Sequence, residues 1–186
     1  MPTALRPARP QRARLLLQAQ QSFASCRPCT AAGHRRGGSM KTRPEPEKRS
    51  AFPHFCPIAI RWMDVDAYRH VNNVVYYSYF DTAVNEYLIQ QGVLDVDKGE
   101  VIGLVVETQC QYFRPIEFPG QVQVGLRVRH IGNSSVRYEL AVFRDGDDTA
   151  SAQGHFVHVY VNRASMRPTP LPPPLRQAVT ALLVAG

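Results

Sequence analysis

The spacing of apolar residues predicts a short strand followed by a long helix in the segment after residue 55. Ile58–Met63 is an apolar run of strand length that ends in a polar loop. Over Val74–Gln91 the spacing changes to three and four residues, which is the period of a helix with one buried face. Asn72 or Asn73 can cap the start of this helix, and Gly92 stands where a left-handed residue commonly ends one. The predicted apolar face consists of Tyr76, Phe80, Ala83, Val84, Tyr87 and Leu88.

Four further segments predict β-strands, with turns at residues 132–134 and 145–146. The first three alternate apolar and polar residues, which is the period of a strand with one buried face. The fourth is apolar on both faces near its end, as expected of a strand inside a sheet. A weak terminal helix is predicted over Arg176–Val184, after a Pro-rich spacer. The predicted strands are Val101–Phe113, Val122–Ile131, Val136–Phe143 and Thr149–Val161.

One long helix beside an antiparallel sheet predicts an α+β domain, which we place at residues 51–167, with a Pro-rich spacer and short helix at 168–186. Residues 1–50 have no periodic pattern that could bury a face, so we expect a disordered basic extension. This extension has the Arg-rich, acid-poor composition of a mitochondrial transit peptide. A mis-annotated start is a further hypothesis, because the codons of residues 35–38 can resemble a ribosome-binding site ahead of Met40. The expected location is cytoplasmic, or mitochondrial if residues 1–50 are a transit peptide.

The net charge of +7 comes from the extension rather than from the predicted domain. Residues 1–50 carry eleven basic residues against two acidic ones, and the remainder is slightly acidic. The domain therefore lacks the basic surface that nucleic-acid binding requires. No apolar run approaches the roughly 20 residues that span a bilayer, so we expect a soluble protein.

Four scattered cysteines argue against a disulfide framework. Cys26 and Cys29 form a C-x-x-C pair, but no second half-site follows it. The sequence therefore predicts no metal site and no cofactor.

A motif in Arg61–Phe80 carries the candidate chemistry. Asp64 and Asp66 form a D-x-D pair, and the run H-V-N-N-x-x-Y begins at His70. This segment resembles the 4-hydroxybenzoyl-CoA thioesterase family of hotdog proteins, and the element order over residues 55–165 agrees. The resemblance implies a hotdog fold, with one long central helix wrapped by a five-stranded antiparallel sheet. It also implies an acyl-CoA thioester hydrolase that forms a homodimer or homotetramer, with active sites at the dimer interface.

By the same resemblance, Asp66 occupies the position of the catalytic carboxylate. Asn73 falls where the family uses a backbone N–H at the helix start to hold the thioester oxygen, and His70 is the third predicted site residue. Thioester hydrolysis needs a nucleophile or general base, together with donors for the developing oxyanion. A helix N-terminus offers such donors, and Asp66 lies in the loop that leads into it. Asp66 can attack directly or activate a water molecule, and both mechanisms stay open.

Several alternatives compete with this prediction. Asp64 and Asp66 can instead bond their own loop, and Asp81 or Glu86 on the helix can supply the carboxylate. The D-x4-H spacing of hotdog hydratases is absent, because Asp66 and His70 are separated by three residues. A non-catalytic acyl-CoA-binding protein is the alternative function. The candidate cations for the phosphates of coenzyme A are Arg69, Arg114, Arg129, His130 and Arg163.

Overall fold

Five antiparallel strands and two α-helices make up the part of the chain that the computed structural model describes, residues 44–184. The sheet has the order β1-β3-β4-β5-β2, so β5 lies inside it and β2 forms one edge. The α+β class and the five antiparallel strands are confirmed. The strands are β1 (His54–Ala59), β2 (Val101–Tyr112), β3 (Gln121–Ile131), β4 (Ser135–Arg144) and β5 (Ala152–Asn162), and the helices are α1 (Asn73–Gln90) and α2 (Pro173–Thr180).

Helix α1 begins and ends at the residues whose chemistry marks its ends. The side chain of Asn72 accepts the N–H of Val74 at 3.2 Å, and Gly92 has a φ of +67° just beyond the last turn. The predicted helix is therefore correct to within one residue at each end. Its buried face is the predicted set with Tyr79 added, namely Tyr76, Tyr79, Phe80, Ala83, Val84, Tyr87 and Leu88.

The buried face of α1 packs on the inner face of the sheet. Phe80 is fully buried, and its ring meets that of Phe156 on β5 edge to face, with centroids 5.8 Å apart. This close approach depends on a glycine, because a Cβ at Gly154 would lie 2.9 Å from the Phe80 ring.

None of the helices among residues 44–184 is long and apolar enough to cross a membrane.

The first predicted strand, Ile58–Met63, is wrong in position. The strand ends at Ala59, and Trp62–Asp64 form a 3-10 turn in which Trp62 and Met63 are each 76% exposed. The turn forms because the Asp64 carboxylate accepts the N–H of Arg61 at 2.8 Å and closes the chain on itself. The second half of this apolar run is therefore not a strand, because the Asp64 carboxylate holds the backbone in a turn.

The predicted domain boundary at residue 50 falls inside a segment that contacts the sheet. The backbone carbonyl of Glu47 accepts the N–H of Ala150 at 2.9 Å. The Glu47 carboxylate forms an ion pair with Arg127 at 2.8 Å. Phe52 is buried against Phe143. Contacts with the rest of the domain are thus made several residues before the boundary that the sequence indicates.

The C-terminal segment also packs on the domain. Helix α2 begins three residues before the predicted start, with proline at its first position, where the missing N–H costs nothing. Leu175 and Val179 are buried, and the hydroxyl of Tyr87 donates to the carbonyl of Ala178 at 2.8 Å. This helix therefore packs against β3 and the C-terminal half of α1.

Deleting residues 1–39, which lie outside the described residues, should leave the melting temperature and the thioester hydrolysis expected from the sequence nearly unchanged. The sequence there offers no face to bury and none of the candidate site residues. Thermal melts and rate measurements on the shortened chain test this, with deletion of residues 1–52 as the control that removes the Glu47 and Phe52 contacts. The control should melt at a lower temperature than the full chain. An equal fall in melting temperature for both shortened chains would contradict the prediction.

Candidate active site

Asp64 and Asp66 lie two residues apart between β1 and α1, but their surroundings differ. Asp64 is 1% exposed, and its Oδ1 accepts the Arg61 guanidinium at 2.8 and 3.0 Å. Its Oδ2 accepts the Arg61 N–H at 2.8 Å and the Tyr79 hydroxyl at 3.0 Å. Burial alone would raise the pKa of Asp64, but these hydrogen bonds outweigh it and lower the pKa. Asp64 is therefore an ionised carboxylate that ties the loop to α1.

Asp66 is half-buried and keeps one oxygen free. Its Oδ1 accepts the N–H of Tyr68 at 2.8 Å and that of His70 at 3.4 Å, which holds the loop in shape. Arg69, with a φ of +67°, lets the chain turn tightly between them. Oδ2 of Asp66 accepts no hydrogen bond from any residue of the range 44–184. A carboxylate oxygen positioned in this way can act on a substrate.

Among the described residues, the N-terminus of α1 leaves one backbone N–H without an acceptor. The side chain of Asn72 takes the N–H of Val74, and its carbonyl takes that of Val75 at 2.9 Å. The N–H of Asn73 donates to none of the described residues, while the Asn73 carbonyl accepts the hydroxyl of Tyr112 at 3.0 Å. Because the helix dipole makes this end electropositive, the Asn73 N–H is suited to an oxyanion.

Asp66 and Asn73 line the same cleft, which has a volume of about 330 Å³. Burial raises the pKa of Tyr76, one of the lining residues, to about 12, so its phenol stays protonated. From the sequence, Arg114 was expected only as a candidate cation, and Tyr112, Phe113 and Pro115 were not assigned, since they lie some forty positions further along the chain. The other lining residues are Val71, Tyr76, Tyr112, Phe113, Arg114 and Pro115.

The remaining predicted residues take other positions. His70 does not line the cleft, and its Nε2 lies 3.9 Å from the carboxylate of Glu117. Its backbone N–H donates to Oδ1 of Asp66, and its carbonyl accepts the N–H of Asp66. Asp81 is exposed on α1, and Glu86 accepts the thiol of Cys56 at 2.9 Å. Neither helix acid lines the cleft that contains Asp66.

Of the five candidate cations, Arg114 lines the cleft. Its guanidinium donates to the hydroxyl of Thr149 at 2.8 Å and lies 3.4 Å from Asp147. Arg163 donates to two loop carbonyls at 2.7 and 2.8 Å, and Arg69, Arg129 and His130 are exposed. Within residues 44–184 no group of three or more His, Cys, Asp or Glu side chains is placed to hold a metal ion.

Several known proteins are similar to this chain in fold or in sequence. A crystal structure of the PA5185 protein from Pseudomonas aeruginosa is 55% identical, with a TM-score of 0.74, over 77% of this chain and 99% of that one. A thioesterase from Thermus thermophilus, in complex with coenzyme A and zinc, is 34% identical, with a TM-score of 0.59, over 71% of this chain and 95% of that one. The Bacillus subtilis protein YsmA is 24% identical over 93 residues, which are 50% of this chain and 63% of that protein.

A family model described as the thioesterase-like superfamily matches residues 60–179, which include the Asp66 loop, α1 and all but the first strand. The predicted resemblance to a thioesterase family is thereby confirmed. The match covers more than half of the sequence, and the Thermus thermophilus thioesterase, at 34% identity, agrees with it. The chain therefore belongs to the thioesterase-like superfamily.

Proposed function

We propose that this protein hydrolyses an acyl- or aryl-CoA thioester to the free acid and coenzyme A, and that its helix α1 is the central helix of a hotdog fold. The observation that carries the proposal is the pairing, in one cleft, of the free Oδ2 of Asp66 with the unpaired N–H of Asn73. A thioester carbonyl placed between them would meet a carboxylate on one side and an oxyanion donor on the other.

Two mechanisms fit this arrangement. In the first, Oδ2 of Asp66 adds to the carbonyl carbon, the coenzyme A thiolate leaves, and water hydrolyses the resulting mixed anhydride. In the second, Asp66 takes a proton from water, the hydroxide adds, and the thiolate departs. In both, the backbone N–H of Asn73 stabilises the tetrahedral oxyanion. The side chain of Asn73 takes no part in proton transfer, because an amide is neither an acid nor a base near neutral pH. His70 acts through its main chain by holding Asp66.

Coenzyme A supplies the rest of the proposed substrate. The Thermus thermophilus relative was crystallised with coenzyme A, which supports a substrate of this type. Arg114 on the cleft wall is the cation best placed for its phosphates, because it lines the cleft that holds Asp66. No protein cofactor takes part in the proposed reaction.

The direct test is release of free thiol from a panel of acyl- and aryl-CoA esters by the purified protein. We expect hydrolysis of at least one class, with a rate that depends on the acyl group. Tight binding of these esters without thiol release would instead make the protein a non-catalytic acyl-CoA-binding module.

We also propose a homodimer or homotetramer built on the edge strand β2. All of residues 104–109 are exposed, and Leu104, Val105 and Val106 leave 37%, 46% and 60% of their surface uncovered. A long apolar edge strand invites pairing with another chain. Light scattering at micromolar concentration should therefore give at least the mass of a dimer.

Val106→Lys should shift this mass toward the monomer, because a charge at the middle of the strand opposes pairing. Val96→Lys is the matched control, since Val96 is equally exposed, at 65%, but lies in the loop before β2. A wild-type monomer that retains full activity would rule out the proposed assembly.

A further inference from the structure

The hydroxyl of Tyr112 connects the end of the edge strand β2 to the first residue of α1. It donates to the carbonyl of Asn73 at 3.0 Å, although the two residues are 39 positions apart in the sequence. Tyr112 lines the Asp66 cleft, yet neither of the two proposed mechanisms uses its phenol. The phenol contacts the residue that supplies the oxyanion donor, on its carbonyl rather than on its N–H.

The ring of Tyr112 packs on the first turn of α1. It meets the ring of Tyr76 edge to face, with centroids 5.1 Å apart and ring planes at 82°. Tyr76 is three residues after Asn73, so the two residues are neighbours on one face of the helix. Tyr76 is 3% exposed and gives the Tyr112 ring a fixed support. The hydroxyl of Tyr112 is therefore directed at Asn73 by ring packing as well as by its own hydrogen bond.

The Tyr112 phenol stays protonated. Burial of the hydroxyl end raises the pKa of Tyr112 well above its ordinary value, and the neighbouring Cys110 thiol and Tyr77 hydroxyl act in the same direction. A neutral phenol is a hydrogen-bond donor and not a base near neutral pH. The contact with the Asn73 carbonyl therefore does not depend on a titration in that range.

Two hydrogen bonds hold the first turn of α1 from different directions. The side chain of Asn72 accepts the N–H of Val74 at 3.2 Å and closes the turn from the chain just before it. The hydroxyl of Tyr112 reaches Asn73 from the sheet. Helix ends fray more readily than helix interiors. Without the second bond, Asn73 could shift relative to the end of β2, which carries Arg114 on the cleft wall.

The geometry points to Tyr112 as a positioning residue whose hydroxyl holds the carbonyl of Asn73 and thereby keeps the Asn73 N–H where the thioester oxyanion develops beside Asp66. The inference rests on the proposed function and adds a residue of β2 to it. Removal of an oxyanion donor costs about 10²- to 10³-fold in rate. A donor that is displaced but still present should cost less, about tenfold.

Tyr112→Phe tests this role, because it removes the hydroxyl and keeps the ring against Tyr76. We expect kcat for the hydrolysis of acyl-CoA esters to fall by about tenfold, and KM to stay within about twofold of the wild type. This is the pattern of an interaction that acts in the transition state more than in the bound substrate. A wild-type kcat, or a loss that resides in KM alone, would overturn the assignment.

Two inhibitors distinguish a displaced oxyanion donor from a cleft that is loosened throughout. A trifluoromethyl ketone analogue of acyl-CoA binds as its hydrate, with a tetrahedral carbon and an oxygen at the oxyanion position, and a thioether analogue lacks the carbonyl. Tyr112→Phe should raise the inhibition constant of the ketone by about tenfold and that of the thioether by less than about twofold. Equal weakening of both inhibitors would show a purely structural role and refute the inference.

Tyr87→Phe is the matched control. The hydroxyl of Tyr87 also donates to a backbone carbonyl, that of Ala178 at 2.8 Å, but Tyr87 lies near the other end of α1 and does not line the Asp66 cleft. This variant should melt at a lower temperature than the wild type and keep kcat within about twofold. A fall in kcat as large as that of Tyr112→Phe would show that turnover follows stability, which contradicts the inference.

Tyr112→Leu separates the hydroxyl from the ring. If Tyr112→Phe keeps the wild-type rate and Tyr112→Leu loses it, ring packing is what matters and the assignment of the hydroxyl fails, while the proposed function stands. Absence of thiol release by the wild type would instead defeat the proposed function, and the assignment with it.

Discussion

Asp66→Asn should lower the turnover of acyl-CoA esters by about 10²-fold or more while the protein stays folded and oligomeric. The free Oδ2 of Asp66 loses the charge that a nucleophile or general base requires. The amide oxygen can still accept the N–H groups of Tyr68 and His70, so the loop keeps its main support. Thermal melts should therefore change little, and steady-state thiol release measures the loss.

Binding should separate the chemical role of Asp66 from a role in holding the substrate. Most of the affinity is expected from the nucleotide and the acyl group, so Asp66→Asn should bind a non-hydrolysable acyl-CoA analogue about as well as the wild type. Asp81→Asn and Glu86→Gln are the matched controls, because both carboxylates lie on α1 outside the Asp66 cleft. Their turnover should stay within about twofold of the wild type.

Retention of more than about a third of the turnover by folded Asp66→Asn would reject its role, since this is a barrier change well below 1 kcal/mol. In that event Glu86 and Asp81 become the first carboxylates to examine. The proposed hydrolysis could still stand, but with a carboxylate on the helix instead of one in the loop.

Elements with local signals were predicted well from the sequence. The ends of α1 depend on Asn72 and Gly92, which act within one turn of the helix, and both ends were predicted to within one residue. The strand segments follow from alternation, a property of a few neighbouring residues. The first strand was misplaced because Trp62 and Met63 are apolar but exposed, and the carboxylate of Asp64 decides the backbone there.

The candidate site was predictable only where its parts are neighbours in sequence. Asp66 and Asn73 are seven residues apart, and a loop leading into a helix necessarily brings them near each other. Tyr112 and Arg114 reach the same cleft from the far end of β2, which requires knowledge of the sheet order. The difference between Asp64 and Asp66 also depends on tertiary structure, because it rests on the buried hydroxyl of Tyr79.

Asp64→Asn should mainly reduce stability, with a smaller effect on turnover than Asp66→Asn. The change removes the charge that the Arg61 guanidinium and the Tyr79 hydroxyl satisfy, and it turns an amide NH₂ toward one of these donors. Arg61 is largely exposed, so water screens part of this interaction, and we expect a loss of about 1–3 kcal/mol in the free energy of unfolding. The melting temperature should fall by about 3–10 °C.

Asp95→Asn is the control for this prediction, because Asp95 is an exposed loop carboxylate that accepts two backbone N–H groups and pairs with no cation of residues 44–184. Its melting temperature should stay close to that of the wild type. If Asp64→Asn has the same melting temperature as the wild type, Asp64 is not the residue that ties the loop to α1.

The pH dependence provides an independent check on Asp64. Its pKa is lowered in the folded protein, so its contribution to stability is fully present above the unfolded value of about 3.9. That contribution is lost as the pH falls from the unfolded pKa toward the folded pKa. In this range Asp64 is protonated in the unfolded chain but still ionised in the folded protein, so acid favours unfolding. The difference in melting temperature between wild type and Asp64→Asn should therefore be constant from about pH 6 to 8 and shrink below about pH 4. A difference that persists unchanged into the acid range would show that the loop is held by packing rather than by the ionised carboxylate.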